Sequence, residues 1–296
     1  MALSVQSVEI SAQSVEVPAQ PTQLESRDHG WLSLWHLLSL DAPTVAAVWT
    51  WFVAHAARIA LPPVIPAAMF VAVWLLYAGD RLLDGASANE ELQERHRFHN
   101  RHRRGFISAM VVAVAILLPL VLAIPWEILK LYLLLAVLLL LWFAMVHRVA
   151  PRLRLRLPKE IMPGAFCAAA AFTPVWATVG YRHGELALAA VGYGLLVTLN
   201  CWTIFAWEHD EISAADATTQ FGVRWLREAT IAGVVISLAA TYLAAPHLAP
   251  IFFAIALAAG LLWMLGRARA SLRPTDLRAA ADLVLLTPLL VVAALR

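Results

Sequence analysis

Nine apolar stretches succeed one another along this chain, each close to the roughly 20 residues an α-helix needs to cross a bilayer. They cover approximately 44–60, 63–79, 106–124, 126–147, 161–179, 186–206, 229–245, 249–266 and 278–295. Nine such spans take up about 180 residues, most of the 296 present. That excludes a soluble globular enzyme and a disordered protein. Only 14% of residues are charged, against about 25% in ordinary soluble domains. The runs are continuous rather than alternating, which argues against an outer-membrane barrel. The predicted fold is all-α: a polytopic bundle of about nine transmembrane helices.

Residues 1–30 are polar and read as a flexible tail, with no basic segment leading into an apolar one as a signal peptide requires. Residues 31–296 form the transmembrane helical domain. Its first segment, Trp31-Leu32-Ser33-Leu34-Trp35-His36, suits a helix lying in the interface. Asp41 is placed to cap the next helix, with Pro43 in its first turn. Pro174 and Pro288 fall inside spans, where kinks are expected. Cys167 and Cys201 lie in apolar runs and read as small packing residues rather than a disulfide.

The charges fix an orientation. With the N-terminus in the cytoplasm and spans alternating, 18 of the 22 Lys and Arg residues fall on the cytoplasmic side. This is a strong positive-inside bias, and it places the protein in the inner membrane with its long charged loops facing inward. Walker, GxGxxG, HExxH and GxSxG motifs are absent, and nothing points to nucleic acid.

Ionisable residues at membrane depth need a reason. Asp80 and Asp84 are four apart on one helix face, at the inner end of the second span, with Tyr77 one turn earlier and Arg81 between. Two such carboxylates can hold Mg²⁺; equally, they can be helix-end acids paired with arginines. After the sixth span, Asn200, Ile204 and Glu208 share a face, followed by Asp210, with Glu211 and Asp216 in reserve. Taken alone, this second cluster reads as a solvated loop. Two acidic clusters on one side, if they face each other, form a divalent-metal site for a diphosphate. The run from Glu94 to Arg104, containing Arg97, Arg101 and Arg104, suits phosphate in a ligand or in lipid headgroups. His96, His99 and His102 recur every third residue, but the surrounding arginines disfavour a metal there. Lys159 is within reach of a phosphate. His55 and Asp282 are weaker candidates near span ends.

Span count, orientation and the position of both acidic motifs resemble the UbiA superfamily of intramembrane prenyltransferases. Asp80, Arg81 and Asp84 match the end of that family's first motif, while Leu76 and Tyr77 stand where its leading Asn and Asp would be. Arg104-Gly105-Phe106-Ile107-Ser108 is similar to the close of the family's arginine-rich segment. Glu208 and Asp210 are nearest to the second motif, and Phe221-Gly222 resembles the Phe-Gly that closes it. The resemblance implies a transferase that moves a prenyl group from an isoprenyl diphosphate to a membrane-embedded acceptor. Mg²⁺ would be held by Asp80, Asp84, Glu208 and Asp210. Tyr77, Arg81, Arg97, Arg101, Arg104, Lys159 and Asn200 would contact substrate, and Trp74, Trp202 and Trp207 would join Tyr77 in sheltering an allylic cation. The alternatives are a noncatalytic UbiA-like lipid-binding or scaffold protein, and a small-molecule or lipid transporter.

Overall fold

The structure is a computed structural model and describes residues 30–87, 98–99, 101–153, 155–179, 184–209 and 211–294. The tail, Arg97, His96 and Asp210 lie outside the described residues, as does the Asp84 side chain. Every regular element among the described residues is helical. The helices are α1 (Trp31–Leu37), α2 (Asp41–Ala56), α3 (Val64–Ser87), α4 (Arg103–Leu122), α5 (Trp126–Ala144), α6 (Ile161–Val179), α7 (Gly184–Glu208), α8 (Ala217–Arg224), α9 (Leu226–Leu243), α10 (Ala249–Arg267), α11 (Pro274–Val284) and α12 (Thr287–Ala294).

Seven helices are long and apolar enough to cross a membrane, and nine segments qualify if each of two bent pairs is one span. The first bent pair is α1 with α2, at 88°. This right angle fits α1 lying across the end of the bundle, with Trp31 exposed. The second is α11 with α12, bent by 45° just before Pro288. A proline cannot donate to the preceding turn, so the helix breaks there. The Trp49 indole donates to the Leu285 carbonyl at the break, at 2.7 Å, and Thr287 donates to the Ala254 carbonyl at 2.9 Å. At Pro174, α6 runs through without interruption.

Burial sorts the helices into two kinds. In α7, 56% of the spanning window is buried within the protein; in α5 the figure is 6%. The core joins α2, α6, α7, α10 and α12, where Trp49 stacks on Tyr193 and Phe52, Phe172 and Ile251 close around them. In contrast, α4, α5 and α9 present leucines, valines and isoleucines outward along their length. Water would not tolerate so continuous an apolar surface, whereas lipid requires it. Glycine sets the closest approach inside the core. A Cβ on Gly164 of α6 would lie 2.3 Å from the Gly194 carbonyl of α7, so these backbones touch with no side chain between them.

The corner between α1 and α2 departs from expectation. Leu40, not Asp41, occupies the cap position of α2, and no side chain caps it. Asp41 instead turns back toward α1, and its carboxylate meets the His36 ring. Ser39 makes the corner possible with a φ of 58°, an uncommon value for a residue with a side chain. Its buried hydroxyl meets His99 Nε2 at 3.1 Å.

Candidate functional site

Helices α3 and α7 deliver their C-terminal ends to the same end of the bundle. Arg81 of α3 feels the charge of Arg278, and Arg278 in turn donates to Glu208 of α7. The predicted residues divide at this end.

Asp80 keeps 38% of its side chain accessible and lies 3.9 Å from His147 Nε2. His147 sits in a π-helical turn, Met145–Val149, that continues α5. Such turns occur frequently at functional sites, because the extra residue re-aims neighbouring side chains. Glu208 forms an ion pair with Arg278, each side chain 23% accessible. Arg101, Arg104 and Lys159 are exposed. Arg81, by contrast, is buried. It donates to the His36 carbonyl at 2.8 Å and to Ser39 Oγ at 2.9 Å, and lies 3.8 Å from the Asp41 carboxylate. Its role is therefore to hold the α1–α2 corner rather than to stand free for substrate. Asn200 is 3% exposed and donates to Asp282 Oδ1 at 2.9 Å.

The reserve acids are not equivalent. Asp216 caps α8, accepting from the amides of Thr218 and Thr219 and from both hydroxyls. Burial alone would raise its pKa, but these hydrogen bonds outweigh it and hold the carboxyl below the usual range. Every oxygen is committed, so Asp216 is a structural cap. Glu211 sits in the loop before it, exposed. Beside this loop, Glu160 is pushed upward by burial, with Arg278 and His209 opposing and Asp216 and Glu208 adding to the rise. His99 is fully buried against Ser39 and Phe106, which makes it a packing residue.

A further group of side chains from four helices gathers at this end. Tyr77 of α3, Cys167 of α6, Cys201 of α7 and Asp282 of α11 lie close enough to sense one another's charge. None is closed off, and Tyr77 keeps 37% of its surface. The three tryptophans each have their own setting. Trp74 borders a separate apolar cavity of about 360 Å³ with Leu38, Leu40, Phe98 and Phe106. Trp202 borders an apolar groove between α7, α9 and α10, with its ring against Gly222, where a Cβ would approach to 2.2 Å. That contact explains why glycine follows Phe221. Trp207 packs in a small core beside Leu262 and Ala281.

The residues that sequence reasoning underweighted are His36, Asp41 and Asp282. Their ligand atoms lie within 4.8 Å of one another, the one group of three or more metal-ligating side chains found among the described residues. His36 and Asp41 are separated by a corner whose angle no local pattern announces, and Asp282 comes from the other end of the chain.

No family model matches this chain, and comparison with curated proteins and with solved structures likewise finds no match. The structure and the site define the class: a multi-pass α-helical membrane protein with a charged, partly open pole.

Proposed function

We propose that the protein is a UbiA-like transferase moving a prenyl group from an isoprenyl diphosphate to a lipophilic acceptor within the membrane. The observation that carries this reading is the set of partly accessible side chains Tyr77, Cys167, Cys201 and Asp282, close enough to sense one another. It lies at the same end of the bundle as Asp80, Glu208 and the exposed bases Arg101, Arg104 and Lys159. A prenyl diphosphate divides in the same way, with an anionic head and an apolar tail.

Asp80 and Glu208 offer hard oxygen donors of the kind Mg²⁺ prefers. Among the described residues they do not complete a three-ligand group, so the reading requires Asp84 and Asp210 to supply the remainder. Mg²⁺ bound there would neutralise charge on the departing diphosphate. Arg101, Arg104 and Lys159 raise the local concentration of the anion. The Tyr77 ring presents a π face to a developing allylic cation, and the surrounding apolar walls keep water from it. In this reading the charged pole faces the cytoplasm across the inner membrane, following the positive-inside bias.

The test is pyrophosphate release from a prenyl diphosphate by the purified chain in lipid nanodiscs, with Mg²⁺ and a membrane extract as acceptor source. Release that depends on Mg²⁺ and collapses in Asp80→Asn supports transfer. No release with any chain length of donor refutes it. One observation favours a second reading, a noncatalytic UbiA-like lipid-binding protein: Glu208 is already held by Arg278, and Asp80 lies beside His147. There the donor still binds, but Asp80→Asn and Glu208→Gln leave binding and cellular phenotype unchanged.

A further inference from the structure

We propose that His36, Asp41 and Asp282, with the carboxamide oxygen of Asn200, form a buried site for one first-row divalent ion of the Mn²⁺ to Zn²⁺ group. It uses none of Asp80, Asp84, Glu208 and Asp210 and does not depend on the prenyl-diphosphate reading, which shares only Asp282 and Asn200 with it.

The charge arithmetic comes first. Asp41 and Asp282 bring two negative charges into the interior. Arg81, 3.8 Å from Asp41, answers one of them. Arg278, the next cation to sense the pair, is bonded to Glu208. One negative charge is therefore left for a proton or a metal ion to neutralise, in surroundings where an unbalanced charge is strongly unfavourable. The two carboxyl groups also lie within hydrogen-bonding reach of each other, so a shared proton or a metal ion must lie between their oxygens.

The donor chemistry comes second. Nδ1 of His36 already points at the Asp41 carboxylate, and the three ligand atoms fall within 4.8 Å of one another. One imidazole nitrogen with carboxylate oxygens suits Mn²⁺, Fe²⁺, Co²⁺ or Zn²⁺ better than Mg²⁺, which takes oxygen alone.

An independent observation points to the same place. Asn200 is 3% exposed, and its Nδ2 binds Asp282, yet its Oδ1 is buried with no hydrogen-bond partner. A buried carbonyl oxygen left unpaired is costly. Here it belongs to the carboxamide that binds Asp282, one of the three ligands. The supporting residues are in place as well: Ala42 N–H donates to Asp41 Oδ1 at 2.9 Å, and Arg81 fixes the His36 backbone. The ligands come from α1, α2, α7 and α11, so an ion there ties the first and last spans together.

The experiment uses the full chain, purified in detergent, stripped with a chelator and reloaded with Zn²⁺ or Co²⁺ alone. The expected result is one ion per chain by elemental analysis, a visible Co²⁺ spectrum and a raised melting temperature. Asp282→Asn and His36→Gln should each weaken binding by more than the roughly 10-fold that loss of a supporting partner costs; Asp80→Asn should not. Asn200→Ala, which leaves the three principal ligands intact, gives a smaller loss and covers the case in which either ligand variant fails to fold. A folded wild-type chain that takes up no ion overturns the proposal. So does uptake insensitive to His36, Asp282 and Asn200 together, or uptake abolished by Asp80→Asn alone.

Discussion

Asp41 and Asp282 are packed between helices, each with specific partners: His36 and Arg81 for one, Asn200 for the other. Asp80 and Glu208, at the same end of the bundle, keep 38% and 23% of their side chains accessible, with His147 3.9 Å from the first and Arg278 donating to the second. One pair is built into the fold and the other is left reachable. Burying a charge commits the surrounding structure to neutralising it, so those residues cannot change without consequence for folding. An accessible acid makes a weaker demand on stability and can exchange its partner for a ligand at lower cost.

The sharpest way to break this comparison is at Arg81. Arg81→Met should remove two hydrogen bonds and leave Asp41 without its guanidinium, and breaking a buried pair costs about 3–5 kcal/mol. Thermal or denaturant unfolding in detergent should show a loss of that size. A change below about 1 kcal/mol would mean the corner is not held as described.

The accessible pair should behave in reverse. Asp80→Asn and Glu208→Gln should each change stability by less than about 1 kcal/mol. If the transferase reading holds, each should reduce pyrophosphate release by about 100-fold, which corresponds to about 2.7 kcal/mol of lost transition-state stabilisation. Large losses of stability with unchanged release would exchange the roles assigned to the two sets.

This contrast also marks what could be read from the chain. The spans were legible because lipid imposes a length and an apolar content on every crossing helix; Ile161–Val179 coincides with its expected bounds. Asp80 and Glu208 were legible as candidates because they stand at the ends of such spans, where hydropathy changes abruptly. The His36–Asp41–Asp282 group was not. Its assembly depends on an 88° corner, on the left-handed Ser39 and on the packing of α11 against α1 and α2. None of these is a local property of the sequence. Asp216 looked like a spare ligand, but Thr218 and Thr219 make it a cap, a signal visible in Asp-Ala-Thr-Thr once a helix is known to start there.

Asp216 also tests the distinction at intermediate strength. Asp216→Ala should cost about 1 kcal/mol, the usual loss of an N-cap. Because its carboxyl is held below the usual range, its contribution is present above about pH 4. It is lost as pH falls through the depressed value. Asp216→Asn keeps a cap but should flatten that part of the pH–stability curve, read from melting temperatures in a buffer series. A curve identical to wild type would show that the carboxylate is not specifically held.

The smallest effect is expected at Glu160, which lies between the two sets in burial. Burial raises its pKa, and the Arg278 and His209 charges do not offset this fully. The folded state therefore disfavours the ionised carboxylate, the opposite sign to Asp216. The penalty is absent below the ordinary glutamate range, near pH 4. It grows as pH rises through the elevated folded value and is then constant. Glu160→Gln removes the charge with little change in shape, so it should raise the melting temperature slightly at pH 7 to 8 and leave it unaltered near pH 4. A variant less stable than wild type at neutral pH would mean that Glu160 is a working counter-ion for Arg278. The ion pair of Glu208 with Arg278 would then be shared, and the reachable pole would be more tightly built than its exposure implies.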